Sequence, residues 1–424
     1  MRELSEFKIG WPLLLSVMLG VGLGLSPLPF YTIGMFAPEL HKAYGWTFQA
    51  IMWGLPVSTA GVIVAGPLVG WLGDRIGVRR VALVSLVLFA LAFMAFALTR
   101  GSLPLYYANW ALMAVVGTGT LPTTWTRAIN NGFERNKGLA LGVALMGTGL
   151  FGFAIKPFLS WMIAEHGWRA AYVVTGFLPL LIALPVALLA FRDPGEKADK
   201  ASAPEVLAGS TLAEALRDYR FWVIGGGFLL FAFAIAGPLP NMENLLKLKG
   251  FSRAEIGGLV PAIGLSVIVG RVAGGWLVDR FWAPAVALAL LCLPAIACVI
   301  LNQASVSHGA ALLAISLIGA AAGMEFDLLA FLIARYFGAR SYSTLYGCLY
   351  IAYALGSGLG PVAFGADFDR SGGYVLSLNV ATGLLLAGGA VLLLLGRYRF
   401  SATPEAVEAR IEAAAGERIS APGA

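Results

Sequence analysis

Four charged side chains stand out well inside long apolar runs of this chain: Lys156, Arg271, Glu325 and Asp327. A charge at the centre of a membrane helix costs at least ~2.5–3.5 kcal/mol, so each must be paired or must line a wet cavity. The planar fork of Arg271 suits a carboxylate. Lys156 precedes Pro157, which frees a backbone carbonyl and loosens the helix there. It offers a second cation to the same anion. Glu325 and Asp327 are carboxyls that can exchange protons. They stand two residues apart, on nearly opposite faces of a helix at ~100° per residue, so one faces a central path and the other a neighbouring helix. The reading favours Glu325 for the path. Tyr31, Asn241 and Tyr353 add polar or amphipathic groups on runs expected to line it. Each cation also has a plainer use: Arg271 in an ion pair with an acid on the next helix, Lys156 in snorkelling to the interface.

Bond-making chemistry has no comparable set of residues. His41, His166 and His308 lie far apart near loops, and they form neither a triad nor a metal site. Cys292, Cys298 and Cys348 all sit in apolar runs without C-x-x-C spacing, so neither a disulfide nor a metal is expected. Residues 147–152 fit G-x-G-x-x-G, but they lie inside a span with no strand before them. With no Walker loop either, the expectation is no enzyme and no cofactor.

The elements that hold these charges are hydrophobic helices. Hydrophobic residues make up 59% of the chain and charged residues 12%, too little polar surface for a soluble protein of this size. About twelve runs approach the ~20 residues that cross a bilayer. In the first half they are roughly 9–36, 47–72, 80–99, 103–129, 138–163 and 168–191. In the second they are roughly 220–246, 255–278, 283–302, 308–334, 343–365 and 374–396. The first is too long for a signal-peptide core. The expected fold is therefore an all-α membrane protein with twelve transmembrane helices in two pseudo-symmetric six-helix bundles. Residues 1–191 and 220–400 form the bundles, 192–219 a cytoplasmic linker, and 401–424 a cytoplasmic tail. Arg75, Arg79, Arg80, Arg192, Arg280, Arg335 and Arg397 then share one side, and few basic residues face the other. This bias puts both termini in the cytoplasm. The net charge of +6 resides in these short loops, so nucleic acid is not an expected partner; the bilayer is.

The halves repeat. Gly70-Trp71-Leu72-Gly73-Asp74-Arg75 returns as Gly275-Trp276-Leu277-Val278-Asp279-Arg280, 205 positions on. The same offset pairs Gly45-Trp46-Thr47 with Gly250-Phe251-Ser252. A fixed offset between two sets of apolar helices indicates a duplicated membrane protein. Gly70 to Arg80 closely resembles the loop between the second and third helices of the major facilitator superfamily. The resemblance covers nearly the whole chain. It implies that Gly70, Asp74, Arg75, Arg79 and Arg80, with Asp279 and Arg280, form a gating loop that interlocks the halves on the inner side in the outward-open state. Within that superfamily, Phe133 to Gly142 and Gly167-Trp168-Arg169-Ala170-Ala171-Tyr172 are similar to helix junctions of the monocarboxylate and oxalate/formate branch. Arg271 sits where that branch carries a buried arginine. Val267 stands where its monocarboxylate members often have an aspartate, Asn241 stands where many have a histidine, and the oxalate exchanger's helix-eleven lysine has no counterpart.

The resemblance and the charges together imply a secondary transporter of the inner membrane. It would work as a monomer on a small organic anion, by proton symport or anion exchange, with the halves rocking about a midplane site. Proton-driven efflux of an apolar compound would keep the fold, although two buried cations are poor partners for a cationic drug. A membrane sensor that binds without transporting would be expected to add a soluble domain or a signalling tail.

Overall fold

The computed structural model describes residues 5–133, 137–192, 209–338 and 340–400. The expected 401–424 tail and most of the linker lie outside them, as do the side chains of Asp74 and Asp279.

Helices make nearly all of the described structure. The first half runs α1 (Ser5–Gly22), α2 (Pro27–Tyr44), α3 (Phe48–Met52), α4 (Gly54–Ile76), α5 (Val78–Met94), α6 (Leu103–Gly117), α7 (Pro122–Gly132), α8 (Lys137–Leu178) and α9 (Leu184–Ala190). A short α10 (Leu212–Arg217) follows. The second half is α11 (Tyr219–Ala236), α12 (Pro238–Leu248), α13 (Arg253–Leu259), α14 (Ala262–Arg280), α15 (Ala283–Asn302), α16 (His308–Phe337), α17 (Tyr342–Ser371) and α18 (Val375–Leu393).

Among the described residues, ten helical segments are long and apolar enough to cross a membrane. Two local breaks separate this number from the twelve runs of the sequence. Residues 140–190 form one continuous segment, yet Gly167 inside it has φ 78, a left-handed conformation that only glycine takes cheaply. The chain turns back there. The stretch 103–132 is split by a 3-10 turn, Thr118–Thr120, ahead of Pro122, so neither piece is long enough alone.

Turn chemistry fixes the ends. Thr47 caps α3 by accepting from the Ala50 amide, and Ser252 forms a capping box with Glu255 before α13. Gly77, at φ 90, makes the turn from α4 to α5. Thr211 and Glu214 form a second capping box on α10. The Thr211 amide donates to Glu214 and holds its carboxyl below the usual range. The Ser210 amide donates to Phe337 O at 2.7 Å, which ties the linker's end to the second half.

The apolar clusters divide by half. One holds residues of α10–α18, including Phe228, Phe231, Tyr336 and Phe337. Another runs from Leu23 to Ala183, with Val362 as its one buried member from the second half. Tyr31 packs partly buried against both. The halves join chiefly through α8 with α14, α3 with α17, and α2 with α12.

Candidate functional site

The side of the molecule that carries residues 74–80 is here the motif end, and the opposite side the far end. Helix direction sets the depth of each group. Counted at 1.5 Å per residue from the motif end of its helix, each of Leu145, Arg271, Asp327, Tyr353 and Glu325 lies roughly 12–18 Å deep. That is close to the midplane of a ~30 Å hydrocarbon core. One layer therefore gathers Arg271, both acids and Tyr353.

Arg271 is the junction. Its Nη1 donates to Leu145 O on α8 of the first half at 3.0 Å. Its Nε donates to Gly323 O at 3.3 Å and lies 3.3 Å from Asp327 Oδ2, both on α16. The Arg271 side chain is 12% exposed and that of Asp327 35%, so the pair is only partly shielded. Asp327 is thus the acid that balances the arginine. It does so from the neighbouring helix, with Val267 at the α14 position four residues before Arg271.

Glu325 turns the other way, as its spacing requires. Tyr353 Oη on α17 donates to Glu325 Oε2 at 2.9 Å. Glu325 is buried and its Oε1 has no partner among the described residues. Tyr31 is partly buried against the apolar clusters of both halves, and the paired groups of the layer are Arg271 with Asp327 and Glu325 with Tyr353.

Lys156 and Asn241 are engaged elsewhere. Lys156 Nζ on α8 donates to Glu243 Oε1 on α12 at 2.5 Å, with side-chain exposures of 3% and 12%. The pair joins the two halves and is too buried for a snorkelling lysine. Asn241 donates to Gly237 O at 2.9 Å and Pro361 O at 3.3 Å, and Tyr374 Oη donates to Asn241 Oδ1 at 3.5 Å. Its amide serves the junction of α12 and α17.

Other contacts between the halves cluster toward the far end. Asp369 of α17 accepts from the Phe48 and Gln49 amides at 2.9 and 2.7 Å. A second-half carboxylate thereby caps a first-half helix, where the helix dipole favours negative charge. Phe48 and Phe368 stack edge-on at 4.8 Å. Backbones touch where glycines permit: a Cβ on Gly34 would come within 1.9 Å of Pro240 O, and one on Gly264 within 2.3 Å of Gly149 O.

The motif end shows the two copies of the repeat in matching local geometry. Arg75 lies over the Trp71 ring at 5.1 Å, and Arg280 over the Trp276 ring at 4.1 Å. Both are i, i+4 cation–π pairs. Arg79 donates to Leu188 O at 2.6 Å, within the first half, and Arg80 is exposed. A Cβ on Gly70 would meet nothing within 4 Å.

Two features escape a reading for buried charge. Asp369 lies past the apolar run of α17, near the end of that helix, and its role depends on a helix end 320 residues away. Tyr342, Tyr346, Tyr350 and Tyr353 do carry a signal, a spacing of four, four and three that puts them on one helix face.

The sequence model of the Major Facilitator Superfamily matches residues 19–361. Monocarboxylate transporter 13 of Bos taurus is 26% identical over 395 residues, covering 92% of this chain and 90% of the relative. The gallate transporter of Pseudomonas putida is 26% identical over 430 residues, covering 88% and 89%. Among solved structures, a bacterial homolog of the human lysosomal transporter Spinster, in an inward-facing and occupied conformation, aligns with a TM-score of 0.68. Its sequence is 18% identical, and the alignment covers 94% of this chain and 99% of that one. This last likeness is one of fold.

Proposed function

The chain belongs to the major facilitator superfamily, and we propose that this multi-pass membrane transporter moves a small organic monocarboxylate together with a proton. One observation carries the reading: at mid-depth, Arg271 joins the two halves and is neutralised by the partly exposed Asp327. A guanidinium held by a single acid can exchange that acid for a substrate carboxylate of the same geometry. A proton on Asp327 cancels its charge and frees Arg271. Anion and proton then enter together, and the site never holds an unpaired charge in low dielectric. The monocarboxylate and gallate transporters among its relatives support an organic acid as the cargo class.

The bias of Lys and Arg supports a cytoplasmic motif end and an inner-membrane location in this reading. The described contacts then correspond to a form closed on the outer side. Lys156–Glu243, Asp369 and the glycine contacts are the outer closure in this reading. The Gly70, Asp74, Arg75, Arg79, Arg80, Asp279 and Arg280 loops would meet when the halves rock the other way.

The test is uptake into proteoliposomes under an inward proton gradient, using short and aromatic carboxylates, for the parent and Arg271→Ala. Accumulation by the parent and its loss in the variant supports the reading. A parent that moves no carboxylate but exchanges a lipophilic compound overturns it.

A further inference from the structure

α8 leads away from the motif end, and α13 and α14 lead back to it. They touch α8 along one line. A Cβ on Gly257 would stand 3.9 Å from Ser160 Oγ, one on Gly264 would run into Phe153 N, and one on Gly149 would lie 2.8 Å from Ile268 Cγ1. Equal steps match on the two sides: Ser160 to Phe153 and Gly257 to Gly264 are both seven residues (160 − 153 = 264 − 257 = 7). Arg271 continues the line by donating to Leu145 O at 3.0 Å. The same register carried toward the motif end sets Gly142 opposite Gly275, eleven residues from Phe153 and Gly264 (153 − 142 = 275 − 264 = 11). Eleven residues are ~1,100° of helix, within ~20° of three full turns, so both glycines lie on the touching face. Yet a Cβ on either would meet nothing within 4 Å among the described residues.

The other seam between the halves repeats this arrangement. A Cβ on Gly358 of α17 would lie 3.4 Å from Thr59 Oγ1 of α4. At the 205-residue offset Thr59 corresponds to Gly264 and Gly358 to Phe153. Eleven residues on toward the motif end stand Gly70 and Gly347, and a Cβ on either again meets nothing within 4 Å among the described residues. Four helices thus carry a glycine at one level, each turned toward a helix it does not touch. Glycine weakens a helix interior. The far-end contacts show what these helices gain from it, which is backbones that meet.

We propose that Gly142 and Gly275 are the contact at which α8 and α14 close the motif end, backbone against backbone, in the alternate form. The seal lies about one helical turn to the motif side of the Arg271–Leu145 contact (275 − 271 = 4, 145 − 142 = 3), so it shuts Arg271 off from that side. Gly264 and Phe153 part as Gly142 and Gly275 meet, and the size of the side chain at each contact sets the balance between the forms. This rests on the rocking cycle proposed above and not on its cargo.

The experiment uses the full chain in proteoliposomes, with Cys292, Cys298 and Cys348 replaced by alanine. Gly142→Cys with Gly275→Cys is oxidised beside Gly142→Cys with Ala273→Cys. Ala273 is two residues from Gly275 and so faces away. The first pair should form its disulfide at least about tenfold faster, because only it brings the two Cα atoms within bridging distance. The second readout is labelling of a single Ser160→Cys by a membrane-impermeant maleimide added at the far side. Gly142→Leu should slow it at least about fivefold, since overpacking the seal holds the far end shut. Gly226→Leu, at an equally open glycine of α11, should leave it unchanged. A disulfide no faster than the control's overturns the proposal. So does labelling in Gly142→Leu as fast as in the parent, or equally slow in Gly226→Leu. Thermal unfolding in detergent identifies a misfolded Gly142→Leu, in which case Gly142→Ala is read by the same criterion. Neither readout needs a transported substrate, so a parent that moves no carboxylate defeats the organic-anion reading alone.

Discussion

Lys156 and Glu243 meet at 2.5 Å across the two halves of the molecule, whereas Arg271 and Asp327 meet at 3.3 Å within one half. The difference has a functional edge. When the halves rock, the first pair must part, and the second can stay whole. In the proposed rocking cycle, the first pair is therefore assigned to the switch between states and the second to the site.

Removing one partner of a buried pair leaves an uncompensated charge, at a cost of ~3–5 kcal/mol, while replacing both with apolar groups is often neutral. Lys156→Met should lower the unfolding temperature clearly, and Lys156→Met with Glu243→Leu should recover most of that loss. The double variant should nevertheless open its far end more readily, seen as faster labelling of a single cysteine introduced there. Labelling no faster than in the parent would mean that the pair has no part in closure.

Asp369 caps the α3 N-terminus from the other half. Losing a cap of this kind costs ~0.5–2 kcal/mol. In Asp369→Ala, hydrogen exchange at the Phe48 and Gln49 amides should accelerate about two- to thirtyfold, with amides of the distant α5 unchanged. Equal exchange in parent and variant would show that the contact contributes nothing.

Asp327→Asn keeps the shape of the site but removes the proton acceptor beside Arg271. The parent should take up substrate faster as external pH falls, because protonation of Asp327 frees the arginine. The variant should lose that pH dependence and its gradient-driven accumulation, while still exchanging labelled for unlabelled substrate. Accumulation that persists in Asp327→Asn would place the coupling proton elsewhere, with Glu325 the next group to test.

Gly264 is where α14 touches α8. A Cβ there would lie 2.2 Å from Phe153 N and 2.3 Å from Gly149 O, distances that backbone cannot relieve by rotating a side chain. Gly264→Ala should therefore disfavour the form closed at the far end. Uptake should fall at least tenfold, and cross-links between cysteines in α8 and α14 should weaken. Unchanged cross-linking would contradict the role given to this contact.

The spans, the repeat and the four intramembrane charges were legible because each is a local property: apolar run length, a fixed offset, a charge in the wrong solvent. The opposite facing of Glu325 and Asp327 followed from helix geometry, and the structure shows them bound to Tyr353 and Arg271 respectively. The partners were not legible. Nothing local marks Glu243 as the mate of Lys156, or Asp369 as a cap for α3, because those pairings depend on how two halves dock. The row of tyrosines on α17 lay within reach of a periodicity argument. It was masked by the ordinary use of aromatic residues in packing and at interfaces.

The Arg75–Trp71 and Arg280–Trp276 stacks bear on the history of the chain. Each is made within one helix and needs nothing from the opposite half, so each would have worked in a six-helix ancestor before duplication. The charges at and between the halves show the reverse. At the 205-residue offset, Lys156 faces Pro361, Glu243 faces Pro38, Arg271 faces Gly66, Asp327 faces Pro122 and Asp369 faces Ala164. The G-W-L-x-D-R stretch stands in both halves, whereas each of these charges stands in one half alone.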